Sequence, residues 1–288
     1  MIGNVGLKKS NKVLCVIVAL LALLSILCFL VFDVRLKVKK YEIDSEKIEE
    51  NVRIALVTDL HSCKYGKEQK NLVKALDKHN PDVVLLGGDI FDDVIDDANT
   101  EIFIKAISEK YPCYYVTGNH EWWSGKEAFL KKMSILEENG VVILKNEVET
   151  VEINGEKINI CGIDDPASYA LEKGKNVPSV KERLELVESL SENGNYTLLL
   201  SHRPELFETY IQYDFDLVLS GHAHGGQWRI PFLVNGVYAP NQGVFPEYAG
   251  GFYEENGTSM VVSRGLARET TRVPRIFNRP ELVIIDLK

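Results

Sequence analysis

Short apolar runs that each end in a cluster of aspartate, asparagine or histidine most constrain how this chain can fold. Five of the six histidines lie in such clusters, and only His79 lies outside them. In chain order the clusters are Asp59-Leu60-His61, Gly88-Asp89, Gly118-Asn119-His120-Glu121, Ser201-His202 and Gly221-His222-Ala223-His224-Gly225-Gly226-Gln227. Each run has the length and composition of a buried β-strand. The pattern therefore predicts that metal-ligand side chains follow directly after strands.

Strand-like and helix-like segments alternate through the first half of the chain. Residues 53–58 and 83–86 are short apolar runs, and 67–79 between them has apolar residues at helical spacing. The alternation continues with a helix near 98–110, a strand at 113–117, a helix near 126–139 and a strand at 141–144. Such alternation is typical of an α/β domain with parallel strands.

The pattern changes at residue 148, where a second sheet is expected to begin. Residues 148–153 and 157–163 flank an Asn154-Gly155 turn, which is a strong signal for a hairpin. A helix at about 180–192 follows, and then strands at 196–201, 216–220, 236–240, 259–263 and 282–287. Ligands of parallel α/β sheets collect beyond the carboxyl ends of the strands. The clusters are therefore expected to meet in space although they are far apart in sequence.

An apolar segment near the N-terminus predicts a transmembrane helix. Residues 13–32 contain no charge and only Ser25 as a clearly polar residue. At about 1.5 Å per residue, this length spans a hydrocarbon core of about 30 Å. A cleaved signal peptide would have a shorter apolar region and a small-x-small site, and neither is present. We expect a basic tail at 1–12, an uncleaved anchor, a linker or edge strand at 33–51, and one domain at 52–288.

The charges around this segment bear on location and partners. Basic residues flank it on both sides in nearly equal numbers, which leaves its orientation open. A short N-terminal tail favours an extracytoplasmic domain in the cell membrane, whereas the extra basic residue after the segment favours the reverse.

The net charge of the domain is strongly negative. Residues 1–40 hold seven basic residues and one acidic residue, which is a net charge of +6. Because the whole chain has a formal net charge of −9, residues 41–288 carry −15. Such a domain repels polyanions, and no duplex nucleic acid is expected as a partner.

Taken jointly and in order, the five clusters resemble the calcineurin-like metallophosphoesterase superfamily. The resemblance covers Asp59 to Gln227. The later segments resemble the branch of small, often membrane-associated bacterial phosphodiesterases; they are Tyr238-Ala239-Pro240, 248–253, Val262-Ser263-Arg264-Gly265 and Arg279-Pro280-Glu281. The superfamily implies a four-layer α/β/β/α sandwich, here with the N-terminal transmembrane helix in addition.

The resemblance also implies a ligand set for two divalent metal ions. Asp59, His61 and His224 would hold one metal, Asn119, His202 and His222 the other, and Asp89 would bridge both. The nitrogen-rich set suits Mn or Fe, with Zn as a further option, better than Mg. Two such cations can activate water and neutralise the oxygens of a phosphate group.

His120 is expected to supply a proton or a hydrogen bond to the reacting phosphate, because it adjoins the ligand Asn119 without being assigned to a metal. By the resemblance, Asp92 matches the carboxylate that orients this histidine, although Asp92 could also belong to a solvated turn. Glu121 is expected to be structural. The protein phosphatases of the superfamily have arginine after the Asp92 position, and this chain has Asp93, so a phosphoprotein substrate is not expected.

These observations predict two-metal-dependent hydrolysis of a phosphodiester or diphosphate bond, in a lipid-linked or nucleotide-diphosphate substrate at the membrane. The alternatives are a phosphomonoesterase, a cyclic-nucleotide phosphodiesterase, or a metal-binding scaffold without turnover.

Several arginines and aromatic residues are candidates for substrate contacts. Arg203, Arg264 and Arg268 are candidates for a phosphate clamp or for ordinary salt bridges. The aromatic residues after the clusters are expected to lie mostly in the core, with exposed members contacting a base or acyl chains; they are Trp122, Trp123, Trp228, Phe232, Phe245, Tyr248, Phe252 and Tyr253.

Overall fold

The computed structural model describes residues 3–171, 177–268 and 273–288. Its strands are β1 (Lys37–Ile43), β2 (Val52–Val57), β3 (Val83–Gly87), β4 (Cys113–Val116), β5 (Val142–Ile143), β6 (Glu147–Ile153), β7 (Glu156–Gly162), β8 (Tyr196–Leu200), β9 (Leu217–Ser220), β10 (Tyr238–Ala239), β11 (Gly243–Val244), β12 (Gly251–Glu255), β13 (Thr258–Val262) and β14 (Glu281–Leu287). Its α-helices are α1 (Gly3–Val31), α2 (Lys70–Asp77), α3 (Ala98–Ser108), α4 (Asn119–Trp123), α5 (Lys126–Glu138), α6 (Val180–Ser191) and α7 (Phe207–Tyr210). Short 3-10 helices lie at Lys67–Gln69, Pro166–Ala170, Pro204–Leu206 and His224–Gly226.

Two six-stranded sheets form the centre of the domain. The first has the strand order β1-β14-β2-β3-β4-β5, and the second has the order β12-β13-β9-β8-β7-β6. Strands β2 to β5 are parallel, as are β7, β8, β9 and β13. The parallel strands within each sheet therefore end on the same edge, which is where an α/β sheet collects its functional loops.

Alternate residues of each strand face different layers, because side chains of a strand point to opposite faces in turn. In β2, Ile54 and Leu56 face the second sheet, whereas Ala55 and Val57 face the helices. The helices α2, α3 and α5 cover the first sheet, and α6 and α7 cover the second. The layers are thus α/β/β/α, with both sheets buried on their two faces.

Most predicted elements lie where the sequence patterns place them. The hairpin is formed by β6 and β7 in antiparallel register, with Asn154 and Gly155 at its turn. The expected helix at 67–79 is split, because Gln69 adopts a left-handed backbone and its side chain bonds Tyr65 and Cys63. The strand β12 has no counterpart among the predicted elements, since none of its residues is fully buried and its sequence has no apolar run.

The stretch 33–51 contributes β1, an edge strand that pairs with β14 in parallel register. The division into segments at 1–12, 13–32, 33–51 and 52–288 stays a prediction, but the sheet already includes residues from position 37 onward.

One helix among the described residues is long and apolar enough to cross a membrane. It is α1, whose segment Val13–Val31 has a mean hydropathy of 3.3 and is not covered by other parts of the chain. The helix ends against the domain, because the Phe277 backbone N–H donates to the Val31 carbonyl at 2.8 Å. Arg279 also donates to the Arg35 carbonyl at 2.9 Å. The end of the candidate span is thus joined to the domain by hydrogen bonds.

Candidate metal centre

The predicted ligands lie just beyond the carboxyl ends of five strands. Asp59 follows β2 and Asp89 follows β3, each two residues after the strand, and Asn119 opens α4 after β4. His202 and His222 follow β8 and β9 in the second sheet, again by two residues. The two edges adjoin, since the His222 backbone N–H donates to Asp59 Oδ1 at 3.0 Å. The fold therefore brings both sets of loops to one place.

Asp89 lies between two groups of imidazoles. Its Oδ2 is 3.0 Å from His202 Nε2 and 3.7 Å from His61 Nε2. Asp59 Oδ1 is 3.6 Å from His224 Nε2 and 4.0 Å from His202 Nε2. These separations are of the size that a cation between the atoms would bridge, and they give the two carboxylates contact with both sheets.

The side chains form three metal-sized groups, of which two share the Asp89 carboxylate and the third consists of His61, Asp92 and His120. In each group the potential ligand atoms lie within 4.8 Å of one another. The first group is Asp59, His61, Asp89 and His224, and the second is Asp89, His202 and His222. For the carboxylate and imidazole residues, these two groups divide as the family resemblance implies, with Asp89 common to both.

Several buried polar atoms of this cluster have no hydrogen-bond partner within the described chain. Burying an unpaired polar atom is costly, so such atoms usually have a partner such as water or an ion. They are His61 Nε2, Asn119 Oδ1 and His224 Nδ1, whereas Asp89 Oδ2 and His202 Nε2 have only each other, 3.0 Å apart. Carboxylate, amide oxygen and imidazole nitrogen are ligands for borderline divalent metals. The residues present therefore fit a pair of divalent cations.

Five of the seven predicted ligands have a left-handed backbone. The φ angles are 51° for Asp59, 47° for His61, 51° for Asp89, 63° for His222 and 48° for His224. An L-residue pays of the order of 1 kcal/mol or more for this conformation, and such residues cluster at functional sites. The surrounding loops hold these side chains toward the centre at a cost in folding energy.

Two glycines make room for the central carboxylates. A Cβ at Gly118 would lie 2.2 Å from Asp89 Oδ1, and a Cβ at Gly265 would lie 2.6 Å from Asp59 Cβ. Gly265 also has a φ of +70°, where a side chain would be strained. The backbone can pack this closely against the two carboxylates only because these residues lack side chains.

Hydrogen bonds at Nδ1 leave Nε2 free on two of the imidazoles. His61 Nδ1 donates to Asp92 Oδ2 at 3.1 Å, and His202 Nδ1 donates to the Gly87 carbonyl at 2.8 Å. Bonds of this kind fix the tautomer of a metal-binding histidine. Burial would lower the pKa of His202, but the Asp89 charge and its contact with the ring raise that pKa to about 10.

His222 is oriented by two residues that sequence reasoning did not include together. Its Nε2 is 2.9 Å from Asn241 Oδ1 and 2.8 Å from Arg203 Nη1, while Arg203 Nη1 donates to Asn241 Oδ1 at 2.7 Å. If Nε2–H and Nη1–H both donate to Asn241 Oδ1, His222 Nδ1 is unprotonated. Burial, followed by the Arg203 and His202 charges, keeps the pKa of His222 well below its usual range.

Arg203 is itself fixed by a buried carboxylate. Its Nε and Nη2 donate to the two oxygens of Asp165 at 2.5 and 2.9 Å, in the two-pronged geometry of a strong arginine–carboxylate pair. Asp165 follows the carboxyl end of β7, so the rule that places ligands after strands could have found it. Asn241 lies in a loop between β10 and β11, where no sequence signal marks it.

Asp92, the carboxylate expected to orient His120, bonds to His61 and lies farther from His120 than Asp93 does. Asp92 accepts from His61, and its Oδ2 is 3.9 Å from His120 Nδ1. The carboxylate that accepts from His120 Nδ1 is Asp93, at 2.6 Å. The reason is that the Asp92 side chain also accepts from the backbone N–H groups of Val94 and Ile95, which turns it beneath His61.

Glu121 supports the loops without facing the cluster. Its carboxylate accepts from the backbone N–H groups of Asp89, Phe91 and Gly118 at 3.1, 3.0 and 2.8 Å. The loop after β3 is thereby tied to the loop after β4. The expected structural role of Glu121 agrees with these contacts.

The remaining candidates have varied surroundings. Arg264 is buried and donates to Asn235 and to the Gly250 carbonyl, and Arg268 donates to the Lys64 carbonyl, so both are engaged away from the cluster. Of the tryptophans near the site, Trp122 is buried against Phe129, whereas Trp123 is 56 % exposed with its ring centroid 4.9 Å from that of His120. Trp123 therefore borders the open side of the site.

Comparisons with known proteins agree with this geometry. The sequence profile of the calcineurin-like phosphoesterase family matches residues 52–226. An uncharacterized metallophosphoesterase of Helicobacter pylori is 30% identical over 80% of this chain and 58% of its own length. The metallophosphoesterase YkuE of Bacillus subtilis is 26% identical over 82% of this chain and 79% of its own length. This chain spans about three fifths of the Helicobacter and Campylobacter relatives that it matches.

Solved structures give the same architecture. The NAD nucleotidase of Haemophilus influenzae superimposes with a TM-score of 0.54 at 19% identity, over 76% of this chain and 46% of that one. A putative 5'-nucleotidase of Staphylococcus aureus gives a TM-score of 0.52 at 10% identity, over 81% of this chain and 54% of that one. At these identities the likeness concerns the fold.

The chain belongs to the calcineurin-like phosphoesterase family. The predicted superfamily and the four-layer α/β/β/α fold are confirmed.

Proposed function

We propose that this protein hydrolyses a phosphodiester or diphosphate bond with the help of two divalent cations. The observation that carries the proposal is the convergence of six carboxylate and imidazole side chains on one edge of two sheets, with Asp89 common to two metal-sized groups. The proposed ligands are Asp59, His61 and His224 for one cation, Asn119, His202 and His222 for the other, and Asp89 for both. Mn or Fe, with Zn as a further option, suits this nitrogen-rich set.

When bound, the cations supply positive charge for the phosphate oxygens and activate water for attack on phosphorus. The chain supplies the remaining groups. His120 is a quarter exposed at the edge of the cluster, and its Nδ1–H donates to Asp93. Its Nε2 is then the atom that can exchange a proton with the leaving oxygen. Asp93 holds the ring in that orientation, and Trp123 beside it limits the access of water.

The charges around the site favour a phosphate group with one negative charge. Asp93 is partly exposed next to His120, in the position where related phosphatases have arginine. A carboxylate there repels a dianionic monoester more than a monoanionic diester. Arg203 does not offset this repulsion, because its two terminal nitrogens already donate to Asp165 and Asn241. A diester or a diphosphate therefore fits better than a terminal phosphate.

The membrane context supports a substrate at the bilayer surface. The apolar segment Val13–Val31 suits a single membrane span, and the domain begins directly after it. We propose a lipid-linked or nucleotide-diphosphate substrate and an extracytoplasmic domain.

The test compares a diester with a monoester on the full-length protein in detergent. Metal-free protein is reloaded with Mn, its metal content is measured by mass spectrometry, and hydrolysis of bis-nitrophenyl phosphate is compared with that of nitrophenyl phosphate. We expect faster diester hydrolysis, and a loss of about 10²-fold or more in the His120→Asn variant with its metal retained. Faster monoester hydrolysis would replace the proposal with a phosphomonoesterase. Bound metal without hydrolysis of either compound would favour a binding scaffold.

The physiological substrate requires a second screen with the same sample. Nucleotide diphosphates, cyclic nucleotides and lipid diphosphates in mixed micelles separate the remaining possibilities. Preferential cleavage of a lipid diphosphate is the expected result.

A further inference from the structure

An uncharged loop segment exposes a group of large apolar side chains. Residues 230–246 contain no Asp, Glu, Lys or Arg. Six of their large apolar side chains are exposed, and we name them the apolar loop face: Ile230, Phe232, Leu233, Tyr238, Val244 and Phe245. Phe232 is fully exposed and Leu233 is 83 % exposed. Contiguous exposed apolar surface of this kind in a folded domain marks an interaction site.

The segment that carries the apolar loop face is an ordered unit. The Phe245 backbone N–H donates to the Val237 carbonyl at 2.8 Å, and that of Val237 donates to the Trp228 carbonyl at 2.8 Å. The strands β10 and β11 pair with Tyr238 opposite Val244. Phe232 has a φ of 68°, which is unfavourable for a bulky residue and turns it outward at the tip of the loop. The backbone thus holds these side chains in solvent instead of folding them inward.

This segment lies next to the end of the candidate membrane span. Trp228 forms a β-bridge with Ile276, and the Arg229 backbone N–H donates to the Ile276 carbonyl at 2.9 Å. The following residue, Phe277, donates to the Val31 carbonyl at the end of α1. Phe232 is four residues from Trp228, so chain length keeps it within roughly 14 Å of that bridge. The apolar loop face and the end of the span are therefore neighbours.

The charges near this junction suit a phospholipid surface. Arg35 and Lys37 follow the span and are exposed. Arg35 and Arg279 both ion-pair with Asp33, and the three basic side chains still outnumber this one carboxylate. Basic side chains at the end of a span attract anionic headgroups. Aromatic and aliphatic side chains with an uncharged backbone segment enter the region just below the headgroups. Both features lie on the same side of the domain.

We propose that the apolar loop face inserts into the bilayer interface beside the end of α1 and forms a second membrane contact. The inference rests on the membrane attachment proposed above. The occupant is the lipid bilayer, because the surface continues directly from the span through Ile276 and Phe277. A single helix leaves a domain free to rotate and tilt, whereas two contacts fix its orientation.

The second membrane contact would place the metal centre close to substrates in the bilayer. Asn241 lies in the same segment, between Tyr238 and Val244, and it contacts both Arg203 and His222. The loop that enters the bilayer therefore also forms part of the wall of the metal centre. A phosphate group at the headgroup level would lie close to the cations, whereas a substrate in bulk water would have to enter from the side.

The test measures the depth of single spin labels in the full-length protein reconstituted in phosphatidylethanolamine–phosphatidylglycerol vesicles. The label is placed at Phe232→Cys in a chain with Cys15→Ser and Cys28→Ser, because these two cysteines of α1 are exposed. Collisions with oxygen, which concentrates in lipid, are compared with collisions with a water-soluble nickel chelate. We expect a severalfold higher oxygen-to-nickel ratio at position 232 than at the control Leu190→Cys, an exposed position on α6.

A label on native Cys28 in a Cys15→Ser chain separates the two proposals. If Cys28 is not in lipid, the membrane attachment itself fails. If Cys28 is in lipid while the label at 232 has the same ratio as the label at 190, the second contact is overturned. A label at 232 that is shielded from both reagents would indicate a protein partner and would also overturn it. Circular dichroism of each variant checks that the chain is folded, and a label at Phe245→Cys repeats the measurement at a second position.

Discussion

The two sheets contribute different chemistry to one site. The first sheet provides both carboxylates, Asp59 and Asp89, whereas the ligands of the second sheet are all imidazoles. The negative charge that attracts cations therefore comes from one half of the domain. The second half adds neutral donors whose orientation depends on Arg203 and Asn241. Neither half alone forms a two-metal site, so the site exists only when the sheets pack together.

The largest expected effect is at the shared carboxylate. Asp89→Asn removes the charge common to both metal groups, and we expect loss of both cations and a fall in activity of more than about 10³-fold. Asp59→Asn is the matched change, because Asp59 belongs to one group only. It should leave about one metal ion per chain, as counted by mass spectrometry of the dialysed protein. Equal metal content in the two variants would contradict the assignment of Asp89 as the bridge.

The adjacent carboxylates Asp92 and Asp93 offer the sharpest comparison within the first half. Asp92→Asn weakens the bond that orients His61, so metal affinity should fall by about 10- to 100-fold, with activity restored by excess Mn. Asp93→Asn weakens the bond that orients His120, so kcat should fall about tenfold with metal affinity unchanged. Metal titrations and kinetics on the same samples distinguish the two. If excess Mn rescued Asp93→Asn and not Asp92→Asn, the roles would be reversed.

Two substitutions at Asn241 test how the second sheet orients its ligand His222. Asn241→Leu keeps the volume but removes the acceptor for His222 Nε2, and we expect about tenfold weaker binding of one cation. Asn241→Asp retains an acceptor oxygen and should bind metal nearly as well as the unaltered chain. Calorimetric titration with Mn measures both. Equal affinity of the two variants would show that the Asn241 contact does not orient the ring.

The smallest expected effect concerns whether the two sheets unfold together. Cys113 in β4 and Cys161 in β7 are buried, and burial raises the pKa of each thiol to about 12. At pH 8 in the folded protein both should resist alkylation. Because one apolar cluster joins the sheets, both should become reactive over the same range of urea concentration. Mass spectrometry of peptides after a short alkylation measures this, and earlier labelling of one cysteine would mean that the halves unfold separately.

Much of the fold could be predicted from local pattern. Apolar runs such as 53–58 and 83–86 are strands because both of their faces are buried, which leaves a continuous apolar sequence. The Asn154-Gly155 turn fixed the hairpin because few dipeptides adopt the backbone of a tight turn as readily. The edge strand β12 and the short helix α4 were not predictable in this way, since their side chains do not alternate or repeat in a manner that distinguishes them from loops.

The candidate site was predictable to the extent that its residues follow strands. Asp59, Asp89, Asn119, His202 and His222 share that position, and the order of the motifs indicated the family. The sequence could not tell whether Asp92 or Asp93 faces His120, because both are in one loop and the choice depends on backbone hydrogen bonds to Asp92. Asn241 was equally hidden, because an asparagine in a loop has no signature of its own.

The sequence by itself determined the class of fold, the ligand types and the apolar N-terminal segment, because these follow from local composition and from spacing along the chain. Only the tertiary structure decided which carboxylate meets which histidine, how the second sheet orients His222, and where the apolar loop face lies relative to α1. These are contacts between residues far apart in the chain or between alternatives in one loop. Their geometry is set by packing and by competing hydrogen bonds, which local sequence does not encode.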